Sequence, residues 1–367
     1  MRLAAAAGLR LRDGRRSAGR RLATPRTIRR FLNGTPTPSD GRKAIPMTPI
    51  SLDLPPVGEP LLVIEGLRKR YGSTQAVDDV SLSIPRGAIY GFLGPNGAGK
   101  TTTIRCLMDI ILPDAGTMTL AGRPLTRPLR DRIGYLPEER GLYRKMTCQD
   151  QLAYLAQLKG VPRRDALERA EQWIERMGLS DYLKKKVDNL SKGMQQKLQF
   201  AATFIFEPDL VILDEVFSGL DPLNIELMRE LILEQKHKGT TILFSTHMLA
   251  EAERLCDAVC LIEGGAKILD GPLDAIRREF TFHMVRVAYE DGIEPPDALP
   301  GVTSRRLDEG TWRLELEAGH DPGELLAPLA AAGPLSYFSA NRPTLNEIFL
   351  AAVRQRREGR DLERSVS

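Results

Sequence analysis

The chain has 367 residues and is 42% hydrophobic, which is enough length and apolar content for two folded domains. Its net charge of +4 is unevenly distributed: residues 1–46 carry a net +10 and the remainder carries −6, so the overall charge does not indicate nucleic-acid binding by the folded part. No stretch has the roughly 20 consecutive apolar residues of a spanning helix, so a membrane process would need a separate spanning subunit.

Residues 1–46 are rich in Arg, Ala, Gly, Pro, Ser and Thr, and Phe31 is their only aromatic residue. A segment of this composition buries too little apolar surface to order itself. Residues 1–60, including the polar linker Thr48–Pro60, are therefore predicted to be a basic, disordered extension. Translation starting at Met47 and an Arg-rich transit peptide are alternatives, and contact with nucleic acid or lipid is another.

Strand and turn signals begin at Leu61. Short strands are predicted at Leu61–Ile64, Val80–Ile84, Ala88–Leu93, Thr117–Leu120 and Arg132–Leu136, with a turn at residues 71–73. A glycine-rich loop follows the third strand and leads into a helix predicted to run from Lys100 to just before Pro113. This order of strand, loop and helix is the context that a phosphate-binding loop requires.

Residues 147 to about 206 are predicted to be helical. Thr147 followed by Asp150 resembles a capping box, and the helices Gln151–Lys159 and Arg164–Met177 come next. Further strands are predicted at Asp209–Leu213, Thr240–Ser245 and Ala258–Ile262. Short apolar runs separated by helices are typical of a parallel sheet buried on both faces, so the predicted fold class is α/β.

The pattern changes after Phe280. Predicted strands at Thr281–Ala288 and Trp312–Glu317 and predicted helices at Asp321–Ala331 and Leu345–Arg354 indicate a small α+β unit at 281–354. The charged tail, 355–367, is expected to fray.

The four cysteines, Cys106, Cys148, Cys256 and Cys260, form no CxxC pair and no cluster with His. Reduced, buried thiols in a cytosolic protein are therefore expected instead of a disulfide or a zinc site.

The strongest chemical signal is the phosphate loop. It consists of Gly94, Pro95, Asn96, Gly97, Ala98, Gly99, Lys100 and Thr101. Glycines let the backbone curl so that amide groups point at phosphate oxygens, and the following helix adds its positive N-terminal end. Lys100 is expected to reach the β- and γ-phosphates, Thr101 to ligate Mg²⁺ and Thr102 to bond the α-phosphate.

Two acidic residues follow the apolar run at 210–213. Asp214 is predicted to hold Mg²⁺, and Glu215 is placed where it could polarise an attacking water. Ser191 opens a helix and reads as its N-cap, although a helix N-terminus beside Gly193 is also an anion site. His247 ends a predicted strand, where ligands of open α/β sheets bind, so a contact with the γ-phosphate is predicted.

These motifs occur in the order typical of ABC transporter ATP-binding subunits, which the chain resembles from about Leu61 to Phe280. The shared motifs are the phosphate loop, the signature LSKGM at 190–194, LVILDE at 210–215, SGLD at 218–221 and STH at 245–247. The resemblance implies a P-loop NTPase fold with a helical subdomain at about 140–206. It also implies a head-to-tail dimer, with each ATP between one phosphate loop and the signature of the other subunit.

By that resemblance, Ser191 and Gly193 contact the γ-phosphate across the dimer and Asp221 lies at the interface. Glu215 is the catalytic base, and Tyr71 stacks on adenine.

Residues 135–143 (YLPEERGLY) and 343–349 (PTLNEIF) are similar to sodium-efflux-type ABC ATPases, whose membrane subunit is a separate chain. Glu138 stands where most ABC subunits have a Gln. We expect Glu138 still to coordinate Mg²⁺ and to tune activity, because it lacks an amide donor and adds negative charge beside the phosphates. Lys192 and Met194 depart from the usual signature, and Val216 replaces the Pro that usually follows the catalytic Glu.

The leading hypothesis is an ATP-hydrolysing exporter subunit at the cytoplasmic face of the membrane, coupled to its membrane partner through residues 138–150. A soluble ABC ATPase acting on nucleic acid or ribosomes and a non-hydrolysing regulatory module are the alternatives. Nucleic-acid binding is not expected.

Overall fold

The computed structural model describes residues 52–139, 141–279, 284–290, 292–308, 310–317, 320–340 and 343–366. The chain divides after Pro46 into two units, and every feature described below belongs to the second unit. The predictions for residues 1–51 lie outside the described residues.

The described residues form fourteen strands and ten α-helices. The strands are β1 (Pro60–Tyr71), β2 (Thr74–Pro85), β3 (Ile89–Leu93), β4 (Ala115–Leu120), β5 (Arg123–Pro124), β6 (Ile133–Leu136), β7 (Leu210–Asp214), β8 (Thr241–Thr246), β9 (Ala258–Glu263), β10 (Ala266–Pro272), β11 (Met284–Tyr289), β12 (Val302–Asp308), β13 (Thr311–Leu316) and β14 (Leu335–Ser339). The helices are α1 (Lys100–Leu107), α2 (Arg127–Arg130), α3 (Cys148–Leu158), α4 (Arg163–Arg176), α5 (Lys192–Phe204), α6 (Pro222–His237), α7 (Leu249–Leu255), α8 (Leu273–Glu279), α9 (Leu326–Ala332) and α10 (Leu345–Val366).

The central sheet has six strands in the order β10-β9-β3-β8-β7-β6. Strands β9, β3, β8, β7 and β6 are parallel, and β10 is an antiparallel edge strand. Every residue of β3, β7 and β8 is buried, as expected for strands covered on both faces. Because Leu93 pairs with Thr246 and Asp214 pairs with Ser245, the carboxyl ends of β3, β7 and β8 meet at one edge of the sheet. The predicted parallel sheet is confirmed.

A second, antiparallel sheet has the order β2-β1-β4-β5. Its hairpin turns between Tyr71 and Thr74, as predicted. The strands β1 and β2 are longer than predicted because backbone pairing continues, with bulges, beyond the apolar runs that marked them.

The helical segment, α3 to α5, contains both predicted caps. The Thr147 hydroxyl accepts a hydrogen bond from the Asp150 amide at 3.1 Å, and the Ser191 hydroxyl accepts one from the Met194 amide at 3.3 Å. The prediction for α1 was wrong at its end. The helix stops at Leu107, since Asp109 adopts a left-handed backbone conformation with φ of 59°.

The C-terminal strands form a third sheet in the order β12-β13-β11-β14, and α9 packs on one face. The strands β12 and β14 were missed because none of their side chains is buried, so they show no clear apolar alternation. Residues 281–283 of the predicted first strand lie outside the described residues. The helical segment predicted at Asp321–Ala331 is confirmed, with a 3₁₀ turn at Pro322–Leu325 before α9.

Helix α10 joins this sheet to the central domain. Leu345 and Ile348, at its start, are fully buried in the same apolar cluster as α7 and the central strands. The helix continues to Val366, so the prediction of a frayed tail from residue 355 was wrong. The prediction that the four cysteine side chains are buried is confirmed.

Candidate functional site

The phosphate loop connects β3 to α1 at the sheet edge where β7 and β8 also end. Two of its glycines are required by close backbone approaches. A Cβ on Gly94 would lie 2.2 Å from the Ile262 carbonyl oxygen, and a Cβ on Gly99, whose φ is 108°, would lie 2.5 Å from the Ala76 carbonyl oxygen. The loop is therefore wedged between β2 and the end of β9, which holds its amides in one conformation.

Lys100 is the first residue of α1, and its side chain is only 5% exposed. Its ammonium group donates to the carbonyl oxygens of Gly94 at 2.7 Å and Pro95 at 3.2 Å and lies 3.8 Å from Glu215 Oε1. Burial lowers the pKa of Lys100, and the nearby carboxylates of Glu215, Asp214 and Glu138 oppose this shift. The cation is thus held among acceptors that an incoming phosphate could replace.

Asp214 ends β7 and is buried. Its carboxylate accepts hydrogen bonds from the Ser245 hydroxyl at 2.7 Å and the Thr101 hydroxyl at 3.2 Å. Burial raises the pKa of Asp214, while these two hydrogen bonds oppose the shift. The hydroxyl of Thr101 beside a carboxylate is an all-oxygen pair, which fits Mg²⁺.

No group of three or more His, Cys, Asp or Glu side chains forms a metal cage within the described ranges. Mg²⁺ does not require such a cage, because it is usually bound through one or two carboxylates together with substrate phosphates and waters. The pair of Thr101 and Asp214 is therefore sufficient on the protein side.

Glu215 follows β7 and is held by the chain after β8. Its carboxylate accepts from the Thr246 hydroxyl at 3.2 Å and from the His247 amide at 3.1 Å, and His247 Nδ1 lies 3.0 Å from Glu215 Oε2. Glu215 has φ of 51°, which is unusual for a residue other than glycine and indicates that surrounding contacts impose its conformation. Its side chain is 8% exposed, whereas that of His247 is 47% exposed.

The structure therefore brings together five predicted site residues: Lys100, Thr101, Asp214, Glu215 and His247. Thr102 lies half-buried in α1. Tyr71 is exposed at the end of β1, with the Lys69 ammonium 5.7 Å from its ring centroid. Glu138 is exposed just after β6.

The other three predicted residues form a separate surface. Ser191 caps α5, and Asp221 caps α6 by accepting from the Asn224 amide at 3.0 Å. A Cβ on Gly193 would lie 3.6 Å from Leu220, so the two caps are neighbours. Among the described residues, the side chains of Ser191 and Asp221 hydrogen-bond only within their own helix starts.

Ser245 and Thr246 were not among the predicted site residues. The signal that could have identified them is their position beside His247 at the end of a buried strand. Two buried glutamines that hold the loop containing Glu138 were not predicted either. The amide nitrogen of Gln199 donates to the Pro137 carbonyl at 3.2 Å, and the Gln151 side-chain oxygen accepts from the Tyr143 amide at 2.8 Å.

The sequence of this chain matches known protein families and relatives. Residues 77–218 match the family model described as ABC transporter, and residues 271–353 match the C-terminal domain of ATP-binding proteins like DrrA1-3. An uncharacterized ABC transporter ATP-binding protein, YhaQ of Bacillus subtilis (strain 168), is 39% identical over 293 residues, which cover 80% of this chain and 98% of that protein.

This chain belongs to the ATP-binding proteins of ABC transporters. The Nod factor export ATP-binding protein I of Ralstonia nicotianae is 37% identical, with 74% of this chain and 85% of that protein covered. A solved ATP-binding subunit of an ABC transporter is 36% identical, with a TM-score of 0.57 over 60% of this chain and 93% of that chain.

Membership of this family confirms the predicted α/β P-loop fold and the predicted resemblance. The ABC transporter ATP-binding proteins bind and hydrolyse ATP, so this chain is the ATPase subunit of a membrane transporter. The alternatives of a nucleic-acid or ribosome ATPase and of a non-hydrolysing module are not supported. In the described part of the chain, no helix has the length and apolarity needed to cross a membrane.

Proposed function

We propose that this protein is the ATPase subunit of an ABC exporter, in which ATP-driven dimerisation moves a separate membrane subunit. The observation that carries the proposal is the Glu215 carboxylate, which is oriented by Thr246 and His247 and lies 3.8 Å from Lys100 at the phosphate loop. The similarity to a protein named for Nod factor export supports the direction of transport.

Binding of ATP is assigned to the phosphate loop and its surroundings. The loop amides and the start of α1 hold the phosphates, and Lys100 exchanges its two carbonyl partners for β- and γ-phosphate oxygens. Thr102 bonds the α-phosphate, and exposed Tyr71 stacks on adenine. Thr101 and Asp214, with Glu138 nearby, hold Mg²⁺, which when bound neutralises charge on the phosphate oxygens.

Hydrolysis is assigned to Glu215. Its buried carboxylate accepts one hydrogen bond at each oxygen, from the Thr246 hydroxyl at Oε2 and from the His247 amide at Oε1. Held in this way, it accepts a proton from the water that attacks the γ-phosphate. The exposed His247 ring donates to the γ-phosphate from the same side. The hydrogen bonds from Thr246 and His247 hold this carboxylate in one orientation before the reaction begins.

The dimer is assigned to the surface formed by Ser191, Gly193 and Asp221. Ser191 presents a hydroxyl and the first amides of α5, which suit the γ-phosphate held by a second copy. Asp221 faces the same partner.

Coupling to the membrane subunit is assigned to residues 138–150, which follow β6 and include the Thr147 cap and the first three residues of α3. The protein then sits peripherally at the cytoplasmic face of the membrane. Residues 61–280 are the ATP-binding domain and residues 281–354 an accessory domain whose helix α10 is anchored in the core of the first.

The test is Glu215→Gln in the full chain. The amide keeps the shape of the side chain but cannot accept a proton, so ATP still binds, a nucleotide-bound dimer accumulates and turnover falls by about 100-fold or more. Size-exclusion chromatography with ATP and a phosphate-release assay measure the two effects.

Glu171→Gln, which alters an exposed carboxylate on α4, is the matched control and should behave as wild type. An unchanged rate in Glu215→Gln would refute the role of Glu215. Purification from membranes without any integral membrane partner would refute the transport proposal.

A further inference from the structure

One ion pair joins the helix that follows Asp221 to the helix that follows His247. Arg229 Nη2 on α6 donates to Glu251 Oε2 on α7 at 2.8 Å, and the two side chains are only 12% and 13% exposed. Arg229 also pairs with Glu226 one turn earlier on α6. A pair buried to this extent is weakly screened by solvent and salt, so it keeps the two helices in one relative position.

On the side of Glu251, the ion pair is connected to the carboxylate of Glu215 by hydrogen bonds. Glu251 lies in the first turn of α7, whose N-cap is Met248. The Met248 amide donates to the Thr246 hydroxyl at 3.0 Å, and that hydroxyl donates to Glu215 Oε2 at 3.2 Å. A shift at the start of α7 therefore moves the group that orients Glu215.

On the side of Arg229, the ion pair is connected to the proposed dimer surface through helix α6. Asp221 caps α6, and Arg229 lies about two turns further along the same continuous helix. A helix moves as a rigid rod over this distance, so displacement of Asp221 displaces Arg229. Helix α7 has only seven residues, and its orientation depends on such contacts because so short a helix has little stability of its own.

We propose that Arg229 and Glu251 are positioning residues that transmit the position of Asp221, when a second copy contacts it, to Thr246 and Glu215. ATP hydrolysis then depends on dimer closure through this pair. The inference rests on the proposed roles of Asp221 and Glu215.

The chain offers a matched control on the same short helix. Glu253 of α7 pairs with Arg277 of α8, and these side chains are 24% and 20% exposed. Helix α8 follows the edge strand β10 and carries none of the predicted site residues. Loss of this second pair should therefore loosen α7 without disconnecting it from Asp221.

The experiment measures kcat, KM for ATP and Tm for Arg229→Met, Glu251→Gln, the double variant, and the controls Arg277→Met and Glu253→Gln. Because small displacements of catalytic groups are costly, kcat should fall by about tenfold or more for the first two, with KM changed less than about twofold. The double variant should be no worse than either single variant, since the two residues act as one unit. The control variants should lower Tm similarly and keep kcat within about twofold of wild type.

Arg229→Lys keeps the positive charge but loses the planar fork, and it covers the case in which Arg229→Met does not fold. A folded Glu251→Gln or Arg229→Met variant with wild-type kcat would overturn the inference, as would equal losses of kcat in the control pair. If Glu215→Gln is inactive while these variants remain active, only the inference fails. If Glu215→Gln is active, the proposed function itself fails.

Discussion

We call Lys100, Thr101, Asp214, Glu215 and His247 the strand-end site, and Ser191, Gly193 and Asp221 the cap surface. The two regions differ in how many of their side chains are already bonded within this chain. At the strand ends, Lys100, Asp214 and Glu215 are nearly inaccessible and are joined by hydrogen bonds and close charges. At the cap surface, Ser191 and Asp221 are exposed and bond only to the first turns of their own helices. The side chains of the strand-end site are therefore held in place by burial, whereas those of the cap surface can still form hydrogen bonds with a partner.

The difference has a physical origin. Parallel strands deliver side chains to a common edge whose packing is set by the core, so polar groups there must satisfy one another. Helix N-termini at the surface retain free amides that water satisfies at low cost. We therefore expect chemistry to depend on the first region within each subunit and on the second region only when two subunits meet.

The largest effect is expected for Lys100→Ala, which removes the cation from the buried region. ATP turnover should fall by about 1,000-fold, because no other buried cation of the described site can reach the transferred phosphate. A phosphate-release assay measures this loss. Lys238→Ala removes an exposed lysine that pairs with Glu234 at 2.7 Å, and it should leave the rate unchanged. Persistent turnover in Lys100→Ala would overturn the assignment of the strand-end site.

A smaller effect is expected for Gly99→Ala, which tests the rigidity of the phosphate loop. The new Cβ would lie 2.5 Å from the Ala76 carbonyl oxygen, at a φ of 108°. Clash and backbone strain together should lower the free energy of unfolding by about 3 kcal/mol, measured by urea denaturation.

Gly97→Ala is its control, since φ is 80° there but no atom lies within 4 Å of the new Cβ. Strain alone should cost about 1 kcal/mol. Equal losses in the two variants would show that the close approach at Gly99 does not constrain the loop.

The smallest effect on stability is expected for Ser191→Ala on the cap surface. Loss of the cap should lower the free energy of unfolding by about 1 kcal/mol, and Thr147→Ala, which removes a similar cap of α3, should cost the same amount. The two variants should differ in turnover. Measured on the purified chain without its membrane subunit, turnover should fall about tenfold in Ser191→Ala because a charge-assisted contact with the partner's nucleotide disappears. Thr147→Ala should retain nearly full activity there, because the proposed coupling residues have no membrane subunit to contact.

If Thr147→Ala loses as much turnover as Ser191→Ala at equal stability, the cap surface has no special part in hydrolysis. The strand-end site and the cap surface would then differ in exposure alone.

Much of the strand-end site was predictable because its signals are local. The phosphate loop, the acidic pair at 214–215 and both helix caps depend on residue types at fixed spacings along the chain, which backbone geometry converts directly into structure. The end of α1 was not predictable from apolar periodicity, because it depends on a left-handed residue at Asp109. Strands β12 and β14 were missed because sheet pairing, instead of burial, holds them.

The sequence by itself determined the P-loop fold, the acidic pair at 214–215 and the two caps, since each is marked by residue types at short spacings along the chain. Only the tertiary structure decided which side chains, distant in sequence, bond to Asp214, Glu215 and Glu251. Thr246 reaches Glu215, Ser245 reaches Asp214 and Arg229 reaches Glu251 across gaps of 31, 31 and 22 residues. Such contacts exist because β7 and β8 lie side by side and because α6 and α7 bury residues in the same apolar core. No local pattern of residues encodes the order in which strands and helices come together.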